Sequence, residues 1–264
     1  MVVLPQLVLD QFIKTCKPIN DSDVNHSKAN FFSATPIIPT IDLNNPDANS
    51  LLVKACKEFG FFKVVNHGIS MQIMSQLEDE ARKFFSLPQL QKESAGIPNP
   101  FGYGNKKIGQ NGDVGWIEYL LLSTSSDYIS QISLSIFPDN PDIFRHAIVN
   151  YISKMKKMAV HVLEMIAEGL NIKEDDKNEL TKLIEDEKSD SYFRLNHYPP
   201  KPESFEALNG RNLVGFGEHT DPQIISVLRS NKIGGLQISL KDGSWVSVPP
   251  DDNSFFILVG DSLQ

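Results

Sequence analysis

Cysteine is scarce: Cys16 and Cys56 are the only two in 264 residues. Two cannot build the disulfide framework on which small secreted folds depend, so a reducing compartment is expected and the location read from the sequence is cytoplasmic. Basic charge is in the minority. Against 33 Asp and Glu stand 25 Lys and Arg, a net charge of −8. That balance argues against broad binding to nucleic acid or to an anionic membrane, and neither is expected as a partner. It leaves room for a local basic pocket that takes a carboxylate. No apolar run approaches the length of a membrane span. The apolar stretch Val2 to Leu9 is broken by Asp10 and has no basic leading segment and no small-residue cleavage site, so no signal peptide is expected. Internal repeats and low-complexity tracts are also missing. What is present is ordinary: 41% hydrophobic and 22% charged residues, enough for a sizeable core in one large domain or two closely packed subdomains.

The first half reads as mixed helix and strand. Ile38 to Leu43 is a short extended segment, because Pro39 disfavours helix in the residue before it. Leu51, Leu52, Ala55, Cys56 and Phe59 fall at helical spacing between Asp47 and Phe59, and Gly60 is a natural stop. Phe61 to Val65 predicts a buried strand, Asn66-His67-Gly68 a turn, and Ser70 to Phe85 a helix with Ser70 as its N-cap. Residues 94 to 115, rich in Gly, Asn and Pro, read as a long irregular loop of the kind that often carries function. Trp116 to Leu122 is a strand candidate, Phe144 to Leu170 a long helix stopped near Asn171, and Lys173 to Lys188 a solvated helix plus linker.

The character changes after Asp190. Short strand-like runs follow at Tyr192–Tyr198, Leu213–Phe216, Ile224–Leu228, Leu236–Leu240, Trp245–Val248 and Phe255–Val259, punctuated by Asn-Gly, Gly-Gly and Asp-Gly turns. Repeated short strands predict an all-β sandwich or barrel in this region.

Two motifs in that region carry chemistry. His219 and Asp221 lie two apart, and on an extended strand residues two apart share a face. An imidazole and a carboxylate could then converge on one metal ion. With a second histidine they would form the facial triad of a non-haem Fe(II) oxygenase. Taken alone, the tripeptide fits an exposed turn pair better. Its context is Arg194-Leu195-Asn196-His197-Tyr198-Pro199-Pro200 upstream. There Asn196 and Tyr198 share a face, and each offers a donor to a carboxylate; the plain alternative is a core tyrosine ending a strand.

Arg-x-Asn-x-Tyr-Pro followed by His-x-Asp resembles the plant soluble 2-oxoglutarate/Fe(II) dioxygenases. Ile38-Pro39-x-Ile41-Asp42-Leu43 and Gly60-Phe61-Phe62-x-Val64-x-Asn66-His67-Gly68-Ile69 resemble that family's N-terminal region, so the likeness extends over roughly residues 36 to 264. Within it, Phe101-Gly102-Tyr103-Gly104, Ile108-Gly109, Asn111-Gly112-Asp113 and Gly115-Trp116-Ile117-Glu118-Tyr119-Leu120-Leu121 are similar to the gibberellin 2-oxidases, in particular those acting on nineteen-carbon gibberellins.

The resemblance implies an α+β fold: a double-stranded β-helix (jelly-roll) core, incomplete at the C-terminus, beside an α/β N-terminal region. The implied segments are an N-terminal dioxygenase region at 36–140, a long helix and linker at 141–189, and a partial jelly-roll domain at 190–264. It implies Fe(II) held by His219 and Asp221, 2-oxoglutarate as cosubstrate held by Asn196 and Tyr198, and oxygen and a gibberellin as the other reactants. Tyr103, Tyr119 and Leu121 are the expected substrate contacts. His67 belongs to a turn that is structural in the family, and Gly102-x-Gly104 lacks the strand–helix setting of a dinucleotide fingerprint.

The chain departs from the family in one respect. No histidine follows Asp221, and the family's second histidine and its Arg-x-Ser cosubstrate motif correspond to positions beyond Gln264. The expectation is that these 264 residues alone are catalytically inactive. The alternatives are another plant 2-oxoglutarate dioxygenase with a different hormone or flavonoid substrate, and a non-catalytic truncated product.

Overall fold

The computed structural model describes residues 38–106, 117–186, 189–200 and 215–263. The stretches Val2–Leu9, Ile108–Trp116 and Leu213–Val214, on which expectations were placed above, lie outside the described residues.

Among the described residues the order is β1 (Thr40–Asp42), α1 (Ala48–Glu58), β2 (Phe61–Val65), α2 (Met71–Phe85), α3 (Gln89–Glu93), β3 (Gly102–Lys106), β4 (Ile117–Ser123), α4 (Ser126–Ile136), α5 (Pro141–Gly169), α6 (Glu174–Glu185), β5 (Tyr192–His197), β6 (Ile225–Leu228), β7 (Gln237–Ser239), β8 (Trp245–Ser247) and β9 (Phe255–Val259). A 3-10 turn at Asp261–Leu263 follows. The expected N-cap holds: the Ser70 hydroxyl accepts from Ile73 N. Pro141 opens α5, where its missing N–H costs nothing.

The strands form a four-stranded sheet in the order β1-β2-β9-β6, a three-stranded sheet β3-β4-β5 and a two-stranded ribbon β7-β8. β1 and β2 are parallel, and every other pairing is antiparallel. Both larger sheets interleave strands from the two halves of the chain: β2 pairs with β9, and β4 pairs with β5. Five of the nine described strands lie after residue 190, and strands from the first half complete both larger sheets. Sequence alternation marked β5 and β9 as strands but could not say that their partners, β4 and β2, lie far upstream in the first half of the chain. The loop expected over residues 94–115 is also corrected at Gly102–Lys106, which forms β3 against β4.

One large core fills the space between helices and sheets, with Phe62, Phe84, Phe144 and Phe255 fully buried. Each such ring stabilises by roughly 1.5–3 kcal/mol. A smaller cluster of Phe61, Val248 and Phe256 lies apart from it, packed with Leu236 and Ile238 of the β7–β8 ribbon region. The three-stranded sheet presents Leu120, Leu122, Phe193 and Leu195 to the large core. Residues of opposite parity, Tyr119 and Leu121 on β4 and Arg194 and Asn196 on β5, occupy the other face. That second face carries the candidate site. No helix among the described residues is long and apolar enough to cross a membrane.

Candidate active site

The register of β4 on β5 sets Tyr119 opposite Asn196 and Leu121 opposite Arg194. Gly104 of β3 pairs with Tyr119. A Cβ at Gly104 would meet Tyr119 Cζ at 2.4 Å, so the phenol lies across a position that only glycine leaves open. The Arg194 guanidinium sits 4.0 Å from the centre of the Tyr119 ring and 5.0 Å from that of Phe216, while its Nε donates to Asn196 Oδ1 at 2.8 Å. Phe216 in turn meets the His219 imidazole edge-on, at 4.4 Å between centroids. The two sequence motifs are thereby joined through Arg194 and Phe216. Tyr198 follows β5, half exposed, with its ring over Gly215.

His219 and Asp221 lie in an irregular segment before β6, not on a strand as expected. They converge nonetheless: His219 Nε2 is 3.4 Å from Asp221 Oδ1. His219 Nδ1 is 2.8 Å from Gly217 O. A carbonyl can only accept, so Nδ1 donates to it and Nε2 is the ring nitrogen turned to Asp221. Asp221 Oδ2 accepts from the Ser226 hydroxyl, which itself accepts from the Gln223 amide. Asp221 Oδ1 is buried and has no hydrogen bond. Burial pushes the Asp221 carboxyl up, but His219 and Ser226 beside it outweigh that and hold it below its ordinary 3.8. The chain returns to brace this segment: Asp261 N donates to Asp221 O at 2.8 Å and Gly260 N to Ile224 O at 2.9 Å. A Cβ at Gly260 would lie 1.7 Å from Gln223 O, which no side chain tolerates.

Tyr103 is a correction. Alternation along β3 turns it to the core side, opposite Leu120, and its hydroxyl donates to Glu118. There it joins a buried cluster in which Lys92 Nζ lies 2.6 Å and His197 Nδ1 2.7 Å from the same carboxylate. With its phenol spent on Glu118, Tyr103 is not a substrate contact. Tyr119 and Leu121 are buried on the site face. His67 takes the structural part expected of it, with Nδ1 accepting from Ile69 N and Nε2 donating to Asn253 O.

Sequence reasoning missed Ser226, Gln223 and Phe216. Ser226 left a signal: it is the one hydroxyl in the apolar run Ile225–Leu228, and it is 3% exposed.

Two family descriptions match the chain. The non-haem dioxygenase in morphine synthesis N-terminal family covers residues 38–140, and the 2OG-Fe(II) oxygenase superfamily covers residues 189–264. Solved structures share the fold. The dioxygenase for auxin oxidation 1 of Arabidopsis thaliana, in its complex with 2-oxoglutarate, matches with a TM-score of 0.70 at 24% identity, over 86% of this chain and 81% of that one. JOX2, in complex with 2OG, Fe and JA, matches with a TM-score of 0.69 at 24% identity, over 97% and 73% of the two chains. The family matches define a 2-oxoglutarate- and Fe(II)-dependent oxygenase. Curated relatives narrow the class. Gibberellin 2-beta-dioxygenase of Phaseolus coccineus is 58% identical over 100% of this chain and 75% of its own length, and gibberellin 2-beta-dioxygenase 1 of Pisum sativum is 60% identical over 86% and 67%. The chain belongs to the gibberellin 2-beta-dioxygenase family.

The residues present fit the family's iron. Nε2 of His219 faces Asp221 Oδ1 at 3.4 Å, and that buried oxygen has no hydrogen bond, so a metal ion between imidazole and carboxylate would satisfy it. Among the described residues no third His, Cys, Asp or Glu joins them.

Proposed function

We propose that this protein inactivates bioactive nineteen-carbon gibberellins by hydroxylating them at carbon 2, at a site centred on His219 and Asp221. The observation that carries the reading is the His219–Asp221 pair, with its imidazole oriented by Gly217 O and its buried oxygen left without a donor. His219 Nε2 and Asp221 Oδ1 would hold Fe(II) as two of the protein ligands of a facial triad. When bound, the iron supplies the oxidising chemistry that turns 2-oxoglutarate and oxygen into succinate and carbon dioxide and puts one oxygen atom on the substrate.

The chain's own groups do the rest. Ser226 fixes the rotation of the Asp221 carboxylate, and Gly217 O fixes that of the imidazole. Asn196 and Tyr198 contribute amide and phenol donors to 2-oxoglutarate. Tyr119 and Leu121 form an apolar wall for a rigid diterpenoid and keep water from that side. The larger architecture proposed is the double-stranded β-helix, with the segments 36–140, 141–189 and 190–264 as its regions and the cytoplasm as its location.

Incubating the protein, extended through the region by which its relatives exceed it, with 2-oxoglutarate, Fe(II) and a panel of gibberellins and flavonoids tests the reading. Mass spectrometry is expected to find gibberellin gaining one oxygen at carbon 2. Hydroxylated flavonoid beside untouched gibberellin would overturn it.

A further inference from the structure

We propose that Arg194 is a carboxylate clamp, its free Nη1 taking an oxygen of a ligand's carboxylate between Tyr119 and the His219–Asp221 pair. The inference deepens the reading above and rests on it for the identity of the ligands.

Arg82, Arg145 and Arg229 each form an ion pair with a carboxylate. Arg194 forms none among the described residues, although it is the arginine aimed at the site. Its Nε is committed to Asn196 Oδ1 and its Nη1 is buried without a hydrogen-bond partner. A buried cation that lacks an anion is strongly destabilising unless something offsets it. The Tyr119 and Phe216 rings attract the charge but offer Nη1 no oxygen. Burial lowers the guanidinium to about 10, against the opposing pull of Tyr119, Tyr198 and Asp221, so it is charged at neutral pH.

The guanidinium is also held in place. The Tyr119 ring beneath it is seated over Gly104, and Asn196 pins Nε. A charged planar fork, pre-positioned, desolvated and short of one acceptor, suits a carboxylate. Both organic reactants of the proposed chemistry bring one: gibberellins are carboxylic acids, and 2-oxoglutarate has two.

Calorimetric titration of the 264-residue chain with anaerobic Fe(II) tests the clamp and separates the sources. The ligands are 2-oxoglutarate, a bioactive gibberellin and that gibberellin's methyl ester. The proteins are the unaltered chain, Arg194→Gln and Arg194→Lys, each checked for folding by a thermal melt. If the gibberellin is clamped, the unaltered chain binds the acid about tenfold to a hundredfold more tightly than the ester. Arg194→Gln then binds the two alike, and 2-oxoglutarate affinity is unchanged. If the cosubstrate is clamped, Arg194→Gln loses 2-oxoglutarate by that factor and keeps its gibberellin affinity. Arg194→Lys recovers part of the loss in either case, since it keeps the charge without the fork. Unchanged affinity for both acids in Arg194→Gln overturns the clamp and leaves the hormone reading standing. Failure of the unaltered chain to bind either acid also overturns it. Loss of 2-oxoglutarate in Arg194→Gln from a chain that binds no gibberellin supports the clamp, with the cosubstrate as its ligand. Should Arg194→Gln not fold, equal affinity for acid and ester together with unchanged 2-oxoglutarate affinity in Arg194→Lys overturns it.

Discussion

The two oxygens of Asp221 live in different circumstances. Oδ2 accepts from Ser226, and Oδ1 faces the His219 imidazole without a hydrogen bond. Removing the Ser226 hydroxyl frees the carboxylate to rotate while leaving both proposed ligands in the chain. In a form that carries the third ligand, Ser226→Ala is therefore expected to weaken divalent-metal binding about tenfold to a hundredfold, measured by Co(II) titration. Unchanged affinity would mean the carboxylate is oriented by something else. Ligand types two apart in sequence were legible because the motif names them. Ser226 was not, because a serine in a strand is ordinary until the fold sets it against a carboxylate. Tyr103 was misread for a related reason: a glycine-rich segment hides the alternation that turns its phenol toward Glu118, away from the site face. Cys56 makes a smaller residue-level test. Burial pushes its thiol up to about 11, so labelling at Cys56 by iodoacetamide at pH 8, read by peptide mass spectrometry, should be slow until the chain is denatured.

At the scale of elements, most long segments followed from periodicity and caps. β2 and β9 fall on the expected residues, and α1, α2 and α5 lie within a few residues of the expected limits. α4 was not legible. Its apolar Ile129 and Ile136 are interleaved with serines, and Ser130, Ser133 and Ser135 each bond back to the carbonyl four residues earlier. Serine is a poor helix former alone, and here contact with α5 and β4 overrides it. The buried cluster of Lys92, Tyr103, Glu118 and His197 ties α3, β3, β4 and β5 together. Lys92→Met leaves Glu118 a buried charge without its cation, and a loss of about 3–5 kcal/mol is expected in urea unfolding. Burial alone would raise the Glu118 carboxyl, but hydrogen bonds from Lys92, Tyr103 and His197 outweigh that and hold it below its ordinary 4.5. A lowered carboxyl contributes stability that is fully present above its unfolded value and is lost as pH falls through the folded one. The stability difference between the unaltered chain and Glu118→Gln should accordingly be constant above about pH 5 and shrink below pH 4.5. A difference that grows on acidification would show that the carboxylate is not the stabilised form.

At the scale of the molecule, β2–β9 and β4–β5 pairing stitches the first half of the chain to the last third. Helical far-UV dichroism and tryptophan fluorescence, which includes Trp245 on β8, should therefore lose signal at one urea concentration; two separated midpoints would mean independent units. The same stitching places Tyr119 and Leu121 from the middle of the chain on the strands beside Arg194 and Asn196, and Phe216 carries that face to His219. The measurement that bears most directly on this site is succinate release, with gibberellin hydroxylation followed in parallel, by the protein extended through the region its relatives possess, beside His219→Ala in that form. The expected result is one succinate for each carbon-2 hydroxylated gibberellin and no product from His219→Ala, where a single proposed ligand of the pair remains. Turnover that survives His219→Ala would contradict the site.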